Sequence, residues 1–111
     1  MDTLDPLLHQ PLRTQIAAFL AGAGEATFTE LKQRLEVSDG NLESHLKKLI
    51  AAGYVSVRKH SDEGRPQSSY ALTPLGREAL QGYIAALQRL LPLDNAPAPT
   101  PASPLLRPRT Q

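Results

Sequence analysis

The chain has 111 residues, with 12 Lys and Arg against 11 Asp and Glu, a net charge of +1 and no cysteine. That size predicts one small domain, and the missing cysteines exclude a disulfide framework or a thiolate metal site. No apolar stretch approaches the ~20 residues a membrane helix needs, and no basic region followed by an apolar run opens the chain. A cytoplasmic protein with no membrane partner is expected.

From Pro11, the apolar residues Leu12, Ile16, Phe19 and Leu20 form the stripe of an amphipathic helix, which Gly22 and Gly24 end. Ala26-Thr27-Phe28 is short enough for a strand stub. Thr27 with Glu30 matches a capping box, with Thr29 as the alternative cap. Leu31 and Leu35 give the second helix one apolar face, and Val37-Ser38 is the turn after it.

A third helix begins at Ser38, whose hydroxyl can accept an orphan N–H, and Asp39 suits the positive end of the helix dipole. Leu42, Leu46 and Leu49 line one side, and Ala51-Ala52-Gly53 closes the helix. Tyr54, Val55 and Val57 predict a strand, and Ser69-Tyr70-Ala71-Leu72 its return. His60 to Ser68, carrying Gly64 and Pro66, is expected to be the polar loop between them. Thr73-Pro74 reads as N-cap and first position of the longest helix, running to about Leu91.

In that last helix Leu80, Tyr83, Ile84, Leu87, Leu90 and Leu91, with Ala79, span roughly 140°. A small three-helix core does not need that width, so this face is expected to pair with a second copy. Pro92 stops the helix, and residues 92–111 hold six of the ten prolines. They predict a disordered Pro-rich tail, leaving 1–91 as the folded unit.

A helix–turn–helix followed by a β-hairpin can offer one helix to the major groove of DNA and one loop to the minor groove. Opposite the leucines of helix 38–52 lie Asn41, Ser44 and Lys48, with His45 at the edge and Lys47 across from the leucines. Asn can bond bidentately to adenine, Ser and His to base edges or phosphates, and Lys to phosphate. Gly40 would let the helix start approach DNA closely, beside the cap Ser38. In the hairpin 58–69, Arg58, Lys59 and Arg65 flank a Gly-Pro turn, and an arginine there suits a narrow minor groove. Asp39 and Glu43 oppose a strongly anionic partner, and Asp62 and Glu63 could simply pair with Arg65 or Lys59. A protein–protein interaction module without DNA binding is therefore the alternative reading.

Metal binding is not expected, because His9, His45 and His60 fall in different elements without H-x-x-x-H spacing. Neither a nucleophile triad nor a Gly-rich phosphate loop is present, so neither an enzyme nor a cofactor is expected. The segments Phe28-Thr29-Glu30-Leu31-Lys32, Ser38-Asp39-Gly40-Asn41-Leu42 and Leu72-Thr73-Pro74-Leu75-Gly76 are the most telling. With Leu4-Asp5-Pro6 and Ala52-Gly53-Tyr54-Val55, they make the chain resemble a bacterial and archaeal family of stand-alone winged-helix transcriptional regulators, related to MarR-type and ArsR-type regulators.

The resemblance implies an α+β, mainly α winged helix-turn-helix, acting as a homodimer on double-stranded operator DNA, and a repressor is the expected role. Asn41, Ser44, His45 and Lys48 would recognise the operator, the segment around Arg65 would supply wing contacts, and the last helix with the N-terminal segment would dimerise. No ligand transfers with it, and an unknown small-molecule effector stays open.

Overall fold

The computed structural model describes residues 4–91; the expected tail, with its Arg107 and Arg109, lies outside the described residues. Four helices and three strands follow in the order α1 (Pro11–Ala23), β1 (Ala26–Thr27), α2 (Phe28–Leu35), α3 (Asp39–Ala51), β2 (Val55–Asp62), β3 (Arg65–Leu72) and α4 (Pro74–Leu90). The sheet is antiparallel with β3 central, in the order β1-β3-β2.

Each helix starts where its cap chemistry dictates. The Gln10 side chain accepts the Arg13 N–H, with Pro11 in the first turn of α1. Thr27 and Glu30 form both halves of the capping box of α2, which settles the choice between Thr27 and Thr29. Ser38 accepts the Asn41 N–H to start α3, and Thr73 accepts the Gly76 N–H to start α4. One such cap typically contributes about 1 kcal/mol.

Apolar side chains from all of these helices meet in a single core. Leu8, Ile16, Leu20, Leu31, Leu42, Leu46, Leu49 and Val55 are its fully buried members. The leucine side of α3 is therefore sealed against α1 and α2, as its periodicity predicts. Leu8 belongs to a short N-terminal segment that precedes α1. That segment is tied down by Asp5, whose carboxylate accepts the Leu7 N–H at 2.9 Å and the Tyr54 hydroxyl at 2.5 Å.

Two expectations need correction. The hairpin is longer than its apolar residues suggest: β2 and β3 pair continuously from Val55↔Leu72 to Asp62↔Arg65. What was expected as a loop over 60–68 is mostly strand, closed by the two-residue turn Glu63-Gly64. Both turn residues have positive φ, 53° and 80°, the geometry that matches the twist of a tight hairpin. Arg65 accordingly starts β3 instead of crowning a loop. Pro66 fits because it lies opposite Ser61, next to the hydrogen-bonded closing pair, where its missing N–H faces away from β2.

The apolar face of α4 also divides differently. Leu80 and Tyr83 are buried in the protomer's own core, together with Ala86, and Leu87 is half-buried against it. Leu80 and Tyr83 are thus not free for a partner. Ile84, Leu90 and Leu91 are exposed at 44%, 66% and 46%, and Leu75 at 52%.

Candidate nucleic-acid interface

With its leucines inside, α3 turns the rest of its circumference outward. Ser38, Gly40, Asn41, Ser44, Lys47 and Lys48 are all exposed. Gly40, Ser44, Lys47 and Ala51 recur at four- and three-residue steps and, with Glu43 and Lys48, line a shallow surface depression of about 400 Å³. The outward stripe thus includes Lys47, which the sequence reading noted but did not place among the contacts. The spacing from Gly40 and Ser44 was the signal that could have found it. Asp39, a charge expected to oppose DNA, lies 2.7 Å from Lys32 of α2 in an exposed ion pair.

His45 sits at the margin of this face, half-buried. Arg13 of α1 donates its Nε–H to His45 Nδ1 at 3.1 Å and its Nη1–H to the Leu7 carbonyl at 3.2 Å. Burial first, then the charges of Arg13 and Lys48, push the His45 pKa below its ordinary value. The ring is held neutral where the fold meets the outward face.

The wing stands beside α3. A second depression, of about 590 Å³, runs between the two and is lined by Phe28 and Thr29 of α2, Glu43 of α3, and Lys59, Arg65, Pro66 and Tyr70 of the wing. Phe28 and Tyr70 are among its lining residues, with ring centroids 6.5 Å apart, and burial raises the Tyr70 pKa. Lys59 and Arg65 therefore share a hollow with α3 (Glu43 brings the one carboxylate among the residues lining it).

Arg58 is not part of that hollow. Arg58 lies directly across from buried Ser69. There its Nε and Nη2 donate to the two carboxylate oxygens of Glu25, each at 3.1 Å. The Arg58 hydrogen bond holds the Glu25 carboxyl below its usual pKa. His60 Nε2 lies 2.8 Å from Ser69 Oγ at the same sheet region. His9 Nδ1, at the other side of the molecule, is 2.9 Å from the Tyr83 hydroxyl. The three histidines are thus dispersed, and among the described residues no three His, Asp or Glu converge as metal ligands.

A helix-turn-helix whose second helix lies exposed beside a two-stranded ribbon is the architecture of a winged helix. The family model described as a winged helix DNA-binding domain matches residues 12–91, and the chain belongs to that family. It is 37% identical over 84 residues to the uncharacterised protein MJ0432 of Methanocaldococcus jannaschii, covering 76% of this chain and 91% of that one. Among solved structures it is similar to a transcriptional regulator homologue from Pyrococcus horikoshii, with a TM-score of 0.72 and 28% identity over 76% of this chain and 83% of the other. A mutant MarR from E. coli shares the fold at a TM-score of 0.63 and 22% identity, over 72% of this chain and 58% of that one. Several other solved structures of this fold are described as transcriptional regulators, and among the described residues no helix is long and apolar enough to cross a membrane.

Proposed function

We propose that this protein is a sequence-specific transcriptional regulator that binds operator DNA as a homodimer. In this reading α3 enters the major groove, with Asn41, Ser44 and His45 at base edges or phosphates and Lys47 and Lys48 at the backbone. Lys59 and Arg65 of the wing follow the adjacent minor groove. Two copies joined through α4 would set their α3 helices about 34–36 Å apart, one DNA turn, over a pseudo-palindromic site. Repression is the simplest outcome, because occupancy of an operator is enough to block transcription.

The observation that carries this reading is the shared hollow between α3 and the wing, which puts Lys59 and Arg65 beside the outward face of α3. The pairing of Asp39 with Lys32 also weakens the electrostatic case for a pure interaction module. The dimer is supported by Ile84, Leu90 and Leu91, apolar side chains that the protomer itself leaves in water.

The test is a mobility-shift titration with a duplex from upstream of the protein's own gene and a random duplex of equal length. Preferential binding of the upstream duplex, weakening steeply as salt rises, supports a regulator. Equal failure on both duplexes favours the interaction module.

A further inference from the structure

Chemistry at His45 reaches beyond its place on the helix. A guanidinium only donates hydrogen bonds and does not lose its proton in proteins, so the nitrogen it faces must be an unprotonated acceptor. Arg13 Nε faces His45 Nδ1 at 3.1 Å. The ring proton must then sit on Nε2. We infer that Arg13 is a positioning residue for DNA recognition: it locks His45 as a neutral ring whose Nε2–H is offered as a donor to DNA.

Two further contacts make the lock specific. Arg13 is itself fixed, because its Nη1–H is held by the Leu7 carbonyl at 3.2 Å in the anchored N-terminal segment. The ring lies four residues after Asn41 and three before Lys48, on one strip of α3, and the Lys48 charge acts on it. A donor-only His45 suits acceptors: guanine N7 or O6, adenine N7, thymine O4, or a phosphate oxygen. It cannot accept the amino proton of cytosine or adenine, so the lock restricts what this position can recognise. A half-protonated or freely flipping imidazole would carry no such restriction.

The inference rests on the DNA-binding reading, but its first arm needs no DNA. Long-range proton–nitrogen NMR of the full chain reports which ring nitrogen carries the proton. The expected result is the Nε2–H form for His45 in the wild type, moving to a mixture in Arg13→Met. An Nδ1–H or charged His45 near neutral pH in the wild type overturns the lock.

The second arm measures binding to the upstream duplex and the random duplex across salt concentration. His45→Leu is expected to weaken the upstream complex about tenfold, an ordinary loss for one hydrogen bond to DNA, and Arg13→Met only about twofold, because a tautomer mixture still holds the Nε2–H form. The double variant should be no weaker than His45→Leu alone, and His45→Gln, which keeps a donor near the Nε2 position, should recover most of the loss. Loss confined to the upstream duplex assigns the donor to a base edge, and equal loss on both assigns it to a phosphate. If Arg13→Met flattens the salt dependence by a full phosphate contact, Arg13 touches DNA itself and the positioning role is wrong. Additive losses overturn it as well. Wild-type protein that binds neither duplex removes the DNA-binding reading, and the inferred DNA role with it, whatever the NMR arm shows.

Discussion

The carbonyl oxygen of Tyr54 occupies the space that a side chain at Gly76 would need: a Cβ built there would lie 2.0 Å from it. This contact joins the start of α4 to the end of α3. Thr73 strengthens the same corner by donating its N–H to the Tyr54 carbonyl at 3.0 Å and its hydroxyl to the Gly53 carbonyl at 2.5 Å. The close approach explains why glycine ends the Leu72-Thr73-Pro74-Leu75-Gly76 segment. Gly76→Ala must push α4 away from this corner, because the obstructing atom is backbone and cannot rotate aside. We expect a loss of about 3 kcal/mol, at the upper end for overpacking, read as a clear fall in the urea midpoint. An unchanged midpoint would show that the corner yields freely.

Arg58 and Glu25 suggest a different experiment. Their bidentate pair is exposed, so its removal is expected to leave thermal stability nearly unchanged. Its effect should appear in DNA binding instead. Arg58→Ala should change affinity little, because the guanidinium is already engaged by Glu25. Glu25→Gln releases that guanidinium and should steepen the salt dependence of binding, by up to about one phosphate contact. A large loss on Arg58→Ala would show that the arginine leaves Glu25 for DNA.

The two populations of α4 give separable outcomes. Leu90→Glu places a charge where the protomer has no core, so the folded monomer should survive while self-association measured by sedimentation is lost. Leu80→Ala removes a buried side chain and should cost about 2–5 kcal/mol of stability. A Leu90→Glu variant that still sediments as the wild type does would move any dimer contact off this face.

Tyr54 provides a titration signature. Its hydrogen bond to Asp5, followed by burial, pushes its pKa up to about 12. The neutral phenol is the form favoured by the fold, so this contribution is complete below about 10, the unfolded value, and is lost as pH rises through about 12. Alkaline spectrophotometric titration should find Tyr54 resisting ionisation, and Asp5→Asn should bring it down. If Asp5→Asn leaves the Tyr54 titration in place, the Asp5 bond does not form in solution.

Much of this fold was legible because each helix announces itself twice, by a cap and by a stripe. Thr27 with Glu30, Ser38 with Leu42, Leu46 and Leu49, and Thr73-Pro74 all fall where the caps and apolar faces are found. The outer ribbon was not legible, because Ser61, Asp62, Arg65 and Pro66 are all exposed. A strand without a buried face has no alternation to read. How α4's apolar face divides was hidden for another reason: a residue packed in its own core and one left on the surface can carry the same apolar side chain. In the site, periodicity exposed Asn41, Ser44 and Lys48, whereas the partners of His45 and Arg58 lie 32 and 33 residues away. Local patterns carry no trace of such pairs.

The most direct measurement is the salt dependence of binding to the upstream duplex, followed by fluorescence anisotropy from about 50 to 200 mM salt. Wild type would be compared with Asn41→Ala and the paired Lys47→Ala, Lys48→Ala variant. If α3 faces DNA, the lysine pair should lower the slope of log affinity against log salt by about 1.8, or 0.9 per phosphate contact. Asn41→Ala should leave that slope intact and reduce discrimination against the random duplex by about 1–3 kcal/mol. Slopes and discrimination unchanged in both variants would mean that the outward face of α3 does not touch DNA.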